Sequence, residues 1–410
     1  MGVTTVAAAS GITLAMLTPF QSTAQQAGGQ KSPFGNLFGF QYGIGRPVNI
    51  LVMGIDRVLD APAGSAASFK GRSDTMLLVR LNPEDGTASI LTIPRDTQVE
   101  IPTIGLSKIN AANAHGGADL AATVVSRTFD DVPVDRYVRI STDAFRELVD
   151  LVGGVEVNVP ERMQYTDQTQ KLKIDLQPGL QNLNGVQAEG FARFRYDAMG
   201  DIGRAQRQQV LMKALQKKVA NPMMLTQLPQ LYGVMQKQID SDLSLQEMLS
   251  LVQFGLQLKP DKLRMVLLPG RFSSYDEYEE SYWLINSTST QRVMQNYFET
   301  GGAIADGLES YSPQELRISV QNASGQPRAA RQVADALISH GFSNVFIEDD
   351  WPYTEPKTKV VVQQGDLQAA KILQAAIGVG QVEPDSTGTI DSDLTIRVGA
   401  DWTKHLKEQR

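Results

Sequence analysis

The residues best suited to chemistry in this chain are arginines and aspartates gathered in two stretches. In the first, residues 190–209, Arg193 and Arg195 alternate with Ala192, Phe194 and Tyr196. A strand with that period of two presents both guanidinia on one face. Beyond a turn, Asp201 opens a segment in which Arg204, Arg207 and Gln208 recur at i, i+3 and i+4. There Val210, Leu211, Ala214 and Leu215 form an apolar stripe at helical spacing. Guanidinia beside a helix N-terminus, with its free N–H groups and dipole, suit a phosphate or pyrophosphate. One arginine pair alone also fits an exposed ion-pair cluster. Four arginines between positions 193 and 207, in a chain of net charge −7, favour the anion site.

The second stretch lies on three successive strand ends. Residues 48–53 form a short apolar run closed by Gly54, with Asp56 just beyond. Arg72 and Asp74 lead into an expected strand at 75–81, and Asn82-Pro-Glu-Asp-Gly86 is hairpin chemistry before a third strand at 87–93, which ends at Pro94-Arg95-Asp96. Sheets commonly carry functional groups at such ends. Two carboxylates among arginines suit Mg²⁺, which prefers one or two carboxylates plus substrate phosphates. Taken singly, Asp56 and Asp74 also read as turn residues or as ion-pair partners of Arg72 and Arg95.

The elements that must position these groups are those of an α/β protein, a central mixed sheet flanked by helices. At 410 residues the chain exceeds what one core usually organises, so two domains are expected, and 42% apolar residues suffice for both. Residues 222–260 alternate Leu and Met with Gln at helical spacing, and a further strand is expected at 263–268. The acidic, aromatic run at 275–283 reads as a solvated loop or as a surface for sugar stacking. A composition shift at 301–313 marks a linker. After it come expected strands at 316–322, 345–348, 358–363 and 394–398, with helices at 329–340 and 367–377. That βαββαβ order describes a small α/β domain over residues 314–403. It carries no catalytic constellation and reads as a binding or spacing module.

Composition excludes several functions. There is no cysteine, so thiol catalysis, disulfides and thiolate zinc sites are absent, and His115, His340 and His405 are scattered without ligand spacing. The acidic balance argues against nucleic acid as a partner. Neither a P-loop nor a dinucleotide fingerprint occurs. Residues 2–20 carry no charge and as a helix would span about 28 Å, close to a bilayer's hydrocarbon thickness. They read as a membrane anchor or signal segment, and residues 21–45, rich in Gln, Gly and Ser, as a flexible tether. Either reading places residues 46–410 outside the plasma membrane.

The run NILVMGID, GRSDTMLLVRLNPEDG, SILTIPRDT, SKINAANAHGG, VDLVGGVEVNVP, LQPGLQNLNGVQA and ARFRYD…GDIGRAQRQQ resembles the LytR-CpsA-Psr family over residues 46–300. VQNASGQPRAARQVADALISHGF and IRVGADW resemble the C-terminal domain that often follows it. The resemblance implies a Mg²⁺-dependent, membrane-anchored phosphotransferase. Such an enzyme moves a glycan phosphate from a polyprenyl-pyrophosphate carrier to peptidoglycan or another envelope acceptor. Carried over by position, Asp56 and Asp74 match the metal-associated aspartates. Arg72, Arg95, Arg193, Arg195 and Arg204 match the pyrophosphate clamp, with Asp56, Asp74 and Arg95 as the catalytic set. Asp201 and Gln208 match the remaining polar positions, and Lys108 is a weaker match. The resemblance also implies a prenyl tunnel, lined by helices such as 118–129 and 142–151. Two other readings compete: a noncatalytic scaffold binding anionic lipid or glycan, and a pyrophosphatase acting on the same lipid with water as acceptor.

Overall fold

The computed structural model describes residues 21–22, 43–56, 58, 61–62, 65–167, 172–194, 200–219, 239–274, 276–300, 316–351, 354–385, 387–389 and 392–408. Contacts divide the chain into two units, Met1–Arg264 with Phe272–Leu284, and Met265–Arg271 with Ile285–Arg410. The expected anchor at 2–20, most of the tether and the linker at 301–313 lie outside the described residues. Among the described residues no helix is long and apolar enough to cross a membrane.

In the first unit β1 (Val48–Ile55), β2 (Ser73–Asn82) and β3 (Thr87–Ile93) form an antiparallel meander. The β2–β3 turn follows from its sequence. Gly86 takes φ +67°, which glycine adopts at no steric cost, while Asp85 accepts from the Thr87 N–H and hydroxyl at 3.0 and 2.6 Å. A hairpin follows, β4 (Gln98–Ile101) with β5 (Gly105–Lys108), and then α1 (Ala111–Thr128). Gly116 and Gly117 break α1, Gly117 at φ 67°, so the helix expected from residue 118 is its second arm. β6 (Arg136–Ser141) returns parallel to β1. Five strands of the central mixed sheet belong to this unit, in the order β11-β6-β1-β2-β3, where β11 is Ile239–Ser241. β1 is buried along nearly its whole length because neighbours pair on both sides and layers cover both faces.

Around the sheet pack α2 (Thr142–Leu151), the antiparallel pair β7 (Val155–Val159) and β10 (Gly179–Leu183), the hairpin β8 (Met163–Asp167) and β9 (Leu172–Leu176), α3 (Gly185–Arg193), α4 (Gly200–Val219) and α5 (Leu245–Gln257). One apolar cluster joins Val149, Val157, Ile174, Phe191, Phe194 and Leu211. Another packs Met248, Leu251 and Phe254 of α5 against Ile50, Leu81 and Ala88. Arg136 of β6 donates to Glu247 of α5 at 2.7 Å. Burial pushes the Glu247 carboxyl up, but the hydrogen bonds from Arg136 and Ser244 outweigh it and hold the group below its ordinary value.

One local expectation fails here. Arg193 is the last residue of helix α3, not part of a strand. The reason lies upstream, where Asn184 and Gln187 make a reciprocal capping box and Ala188, Phe191 and Phe194 bury one stripe. Arg193 is the last residue of that helical run, and Phe194 leaves it with φ −59° and ψ 135°.

The second unit carries β12 (Arg317–Asn322), α6 (Ala329–Ser339), β13 (Asn344–Ile347), β14 (Lys359–Val361), α7 (Leu367–Ile377), β15 (Gln381–Glu383), β16 (Leu394–Val398) and α8 (Asp401–Glu408). Its five-stranded sheet runs β13-β12-β16-β14-β15, with β14 antiparallel to β16 and the other pairs parallel. The expected βαββαβ core is present. β15 and α8 extend it; β15 is three residues long, and α8 is a short helix that buries Trp402 in the core. Ile318, Val320, Val333, Leu337, Leu373 and Ile396 form the core between sheet and helices.

Candidate functional site

A cavity of about 310 Å³ opens in the first unit among β1, β2, β6, α2, α3 and α4. Strand register gives it a polarity. Val52 pairs with Leu77, Gly54 with Thr75, and the register shifts between Gly54 and Ile55. The Asp56 N–H then donates to the Arg72 carbonyl at 3.1 Å. Asp56 and Asp74 therefore line the cavity at the strand ends, and Val52 and Leu77 line it farther along the same strands. On α4 the lining residues Gln208, Leu211, Met212 and Leu215 fall at i, i+3, i+4 and i+7, one helix face. Gln208 is the polar residue of that face. Phe145 and Ile140 continue the apolar wall.

The charged end is a network. Arg193 reaches across from α3 and donates to Asp56 Oδ1 at 3.2 Å, and its other terminal nitrogen donates to Glu189 Oε1 at 3.0 Å. Glu189 is only 2% exposed. Its second oxygen accepts from Arg146 of α2 at 2.5 Å. Two guanidinia thus supply the charge partners that a buried carboxylate requires. On β2, Asp74 accepts from Arg95 Nη1 at 2.8 Å, and Arg95 Nε also donates to Asp96 at 3.3 Å. Lys108 Nζ lies 3.4 Å from Asp96 and 3.5 Å from Glu280.

Of the residues singled out from the sequence, Asp56, Asp74, Arg193 and Gln208 line the cavity. Arg95 is one ion pair removed, and Lys108 lies beyond Asp96. Arg72 is exposed and enters through its carbonyl. Arg195 and the side chains of Asp201 and Arg204 lie outside the described residues. Arg207, expected at the anion site, is instead buried at 7% exposure, with its guanidinium against Phe194 and donating to the Phe194 carbonyl. Of the two helices expected beside an apolar channel, 142–151 contributes Thr142 and Phe145, whereas 118–129 contributes no lining residue.

Glu189 and Arg146 are not legible as site residues in the sequence. The available signal is Glu189 at i−4 from Arg193 on the buried stripe of α3, a spacing at which opposite charges meet. Nothing local indicates Arg146.

Fold and site together define an α/β protein with an amphipathic cavity, charged at one end and apolar along its body. The chain belongs to the LytR_cpsA_psr family, which matches residues 18–299. A second profile, the LytR cell envelope-related transcriptional attenuator, matches residues 315–402. The polyisoprenyl-teichoic acid–peptidoglycan teichoic acid transferase TagV of Bacillus subtilis is 29% identical over 259 residues, covering 62% of this chain and 64% of that protein. The TagU transferase of Bacillus cereus is 36% identical over 204 residues, 49% of this chain and 62% of that protein. The chain thus spans less than two thirds of the length of either relative. Among solved structures, B. subtilis TagV superposes with a TM-score of 0.53 at 27% identity, over 63% of this chain and 99% of that one. TagT bound to LIIa-WTA gives 0.51 at 30% identity, over 62% and 92%.

Proposed function

We propose that this chain transfers a glycan phosphate from a polyprenyl-pyrophosphate carrier to an envelope acceptor such as peptidoglycan. The observation that carries this reading is a cavity whose mouth holds the Asp56 and Asp74 carboxylates and the Arg193 guanidinium and whose body is apolar, a shape suited to a ligand that is anionic at one end and hydrocarbon at the other. The teichoic acid transferase activity for which TagV and TagU are named agrees with it. The uncharged segment 2–20 supports a plasma-membrane anchor with the folded units on the extracytoplasmic side.

The donor set fits Mg²⁺. Asp56 and Asp74 line one cavity, and among the described residues no group of three or more acidic, His or Cys side chains is placed to hold a metal alone. These two aspartates would hold the magnesium ion, which would supply positive charge to neutralise the leaving group. The protein's own groups do the rest. Arg193, fixed by Glu189, binds a phosphate oxygen with charge-assisted hydrogen bonds. Arg95 holds the Asp74 carboxylate in place. The acceptor hydroxyl oxygen forms a bond to the phosphorus nearest the sugar, the bond from that phosphorus to the bridging oxygen breaks, and polyprenyl phosphate departs as the hydroxyl proton passes to a base.

Asp74→Ala tests the assignment. With the fold verified by circular dichroism, Mg²⁺-dependent transfer from a polyprenyl-pyrophosphate glycan to peptidoglycan should fall about a hundredfold or more. Unchanged turnover at saturating Mg²⁺ would remove Asp74 from the metal site. Release of glycan phosphate with no labelled acceptor would assign a pyrophosphatase instead.

A further inference from the structure

Residues 276–283 do not line the cavity, yet direct contacts connect the two. Tyr278 and Tyr282 pack edge to face, with centroids 5.2 Å apart and planes at 70°, and both residues are half-buried. Their mounting is rigid. The Tyr278 hydroxyl donates to Gln98 Oε1 at 3.3 Å. The Tyr282 backbone N–H donates to Ser273 Oγ at 2.9 Å, and its carbonyl accepts from the Ser273 N–H at 2.8 Å. Next to them Trp283 is 1% exposed, stacks edge-on against Phe272 at 5.0 Å and donates its backbone N–H to the Asp96 carbonyl at 2.9 Å. Rings held this way lose little freedom when a ligand covers them.

Lys108 joins this platform to the reaction centre. Its ammonium lies 5.4 Å from the Tyr282 ring centroid while pairing with Asp96 and Glu280. Asp96 pairs with Arg95, and Arg95 with Asp74 on the cavity wall. The path from cavity carboxylate to tyrosine is therefore a chain of direct contacts.

Charge then sorts what can bind. Asp276, Glu279 and Glu280 are exposed around the tyrosines, whereas Glu277 is used within the loop, accepting from the Ser274 N–H at 2.8 Å. Such a rim repels a phosphate-bearing polymer and accepts hydrogen bonds from hydroxyl and amide donors. Pyranose rings offer C–H faces to the negative faces of tyrosines and donors to carboxylates.

We propose that Tyr278 and Tyr282, with Lys108 against the Tyr282 ring, form the subsite for the acceptor, a neutral N-acetylhexosamine strand, while the anionic donor is confined to the arginine side of the cavity. The proposal rests on the transferase reading and assigns the acceptor side of the same centre.

The test titrates the full chain calorimetrically with tetra-N-acetylchitotetraose as acceptor probe and with geranylgeranyl pyrophosphate as donor probe. Tyr278→Ala and Tyr282→Ala should each weaken the oligosaccharide about tenfold or more, with donor-probe affinity within about twofold of the parent. Tyr278→Phe, which keeps the ring, should restore most of the binding. If an alanine variant loses both ligands through misfolding, Glu280→Lys on the exposed rim decides: polyglycerol phosphate, excluded by the parent, should then compete with the oligosaccharide. A parent that ignores the oligosaccharide, or alanine variants that bind it equally, would overturn the subsite. A parent that binds it through the tyrosines but transfers nothing to it from a lipid pyrophosphate would leave the subsite standing and remove the transferase reading.

Discussion

The arginines beside the cavity of the first unit and the buried arginine of the second are used differently. In the first, Arg95 and Arg193 keep 18% and 20% of their side-chain surface exposed, and their partners Asp74 and Asp56 keep 24% and 26%. In the second, Arg397 is 3% exposed. Its guanidinium lies 3.5 Å from the Trp351 ring centroid and donates to the Thr387 hydroxyl and carbonyl and to Gln321. Burial pushes that guanidinium below its ordinary value, opposed by Asp385, Glu383 and Glu355. Gln363 of the same unit donates to Thr389 and Ser392 at 2.8 Å. In the second unit the Arg397 guanidinium and the Gln363 amide nitrogen are satisfied within the unit itself. The first leaves Arg193 and the Asp56 and Asp74 carboxylates on a cavity wall, where a ligand's oxygens can take the place of one partner.

The largest effect should come from breaking the self-satisfied side. Arg397→Ala leaves Thr387 and Gln321 oxygens without their donor and a void against Trp351, and should lower stability by about 3 kcal/mol or more. Chemical denaturation followed by tryptophan fluorescence would show it, while geranylgeranyl pyrophosphate affinity in the folded fraction should stay within about twofold. A matching loss of affinity would contradict the division of labour between the units.

Next in size is the cavity side. Arg193→Ala should weaken the same probe roughly ten- to a hundredfold, since a charge-assisted contact is worth about 1.5–3 kcal/mol, with only partial rescue by lysine, which cannot supply the planar fork. If Glu189 acts by holding Arg193, Glu189→Ala should weaken binding too, and the double variant should bind no worse than about twofold below Arg193→Ala alone. Additive losses in calorimetric titration would make Glu189 an independent contributor.

The smallest effect separates cavity from unit. Arg136 and Glu247 belong to the first unit but lie away from the cavity and are as buried as Arg397 in the second. Because the folded-state value of Glu247 is depressed, its contribution is fully present above the unfolded value of about 4.3. It is lost as pH falls through the lower folded value. The gap in melting temperature between the parent and Glu247→Gln should therefore be constant near neutrality and close below about pH 4. A gap that persists unchanged to about pH 3 would mean that the carboxylate charge is not what stabilises this pair.

The sequence by itself determined the elements and the kind of chemistry. Strands at β1 to β3, the Asp-Gly turn, α2, and the helices and main strands of the second unit all follow from side-chain periods and turn residues acting over a few positions. Asp56 and Asp74 were legible because charge at strand ends is a local pattern, and Arg193 and Gln208 because they stand in short runs of arginine and glutamine, although the element that carries Arg193 was not. Only the tertiary structure decided which charges meet. Arg193 finds Asp56 from 137 positions away, Arg146 finds Glu189 from 43, and Arg95 finds Asp74 from 21. It also made Arg193 the end of a helix, buried Arg207 against Phe194, and brought Tyr282 to Lys108. Each of these depends on strand register and helix packing, and packing couples residues by distance in space, which no spacing along the chain records.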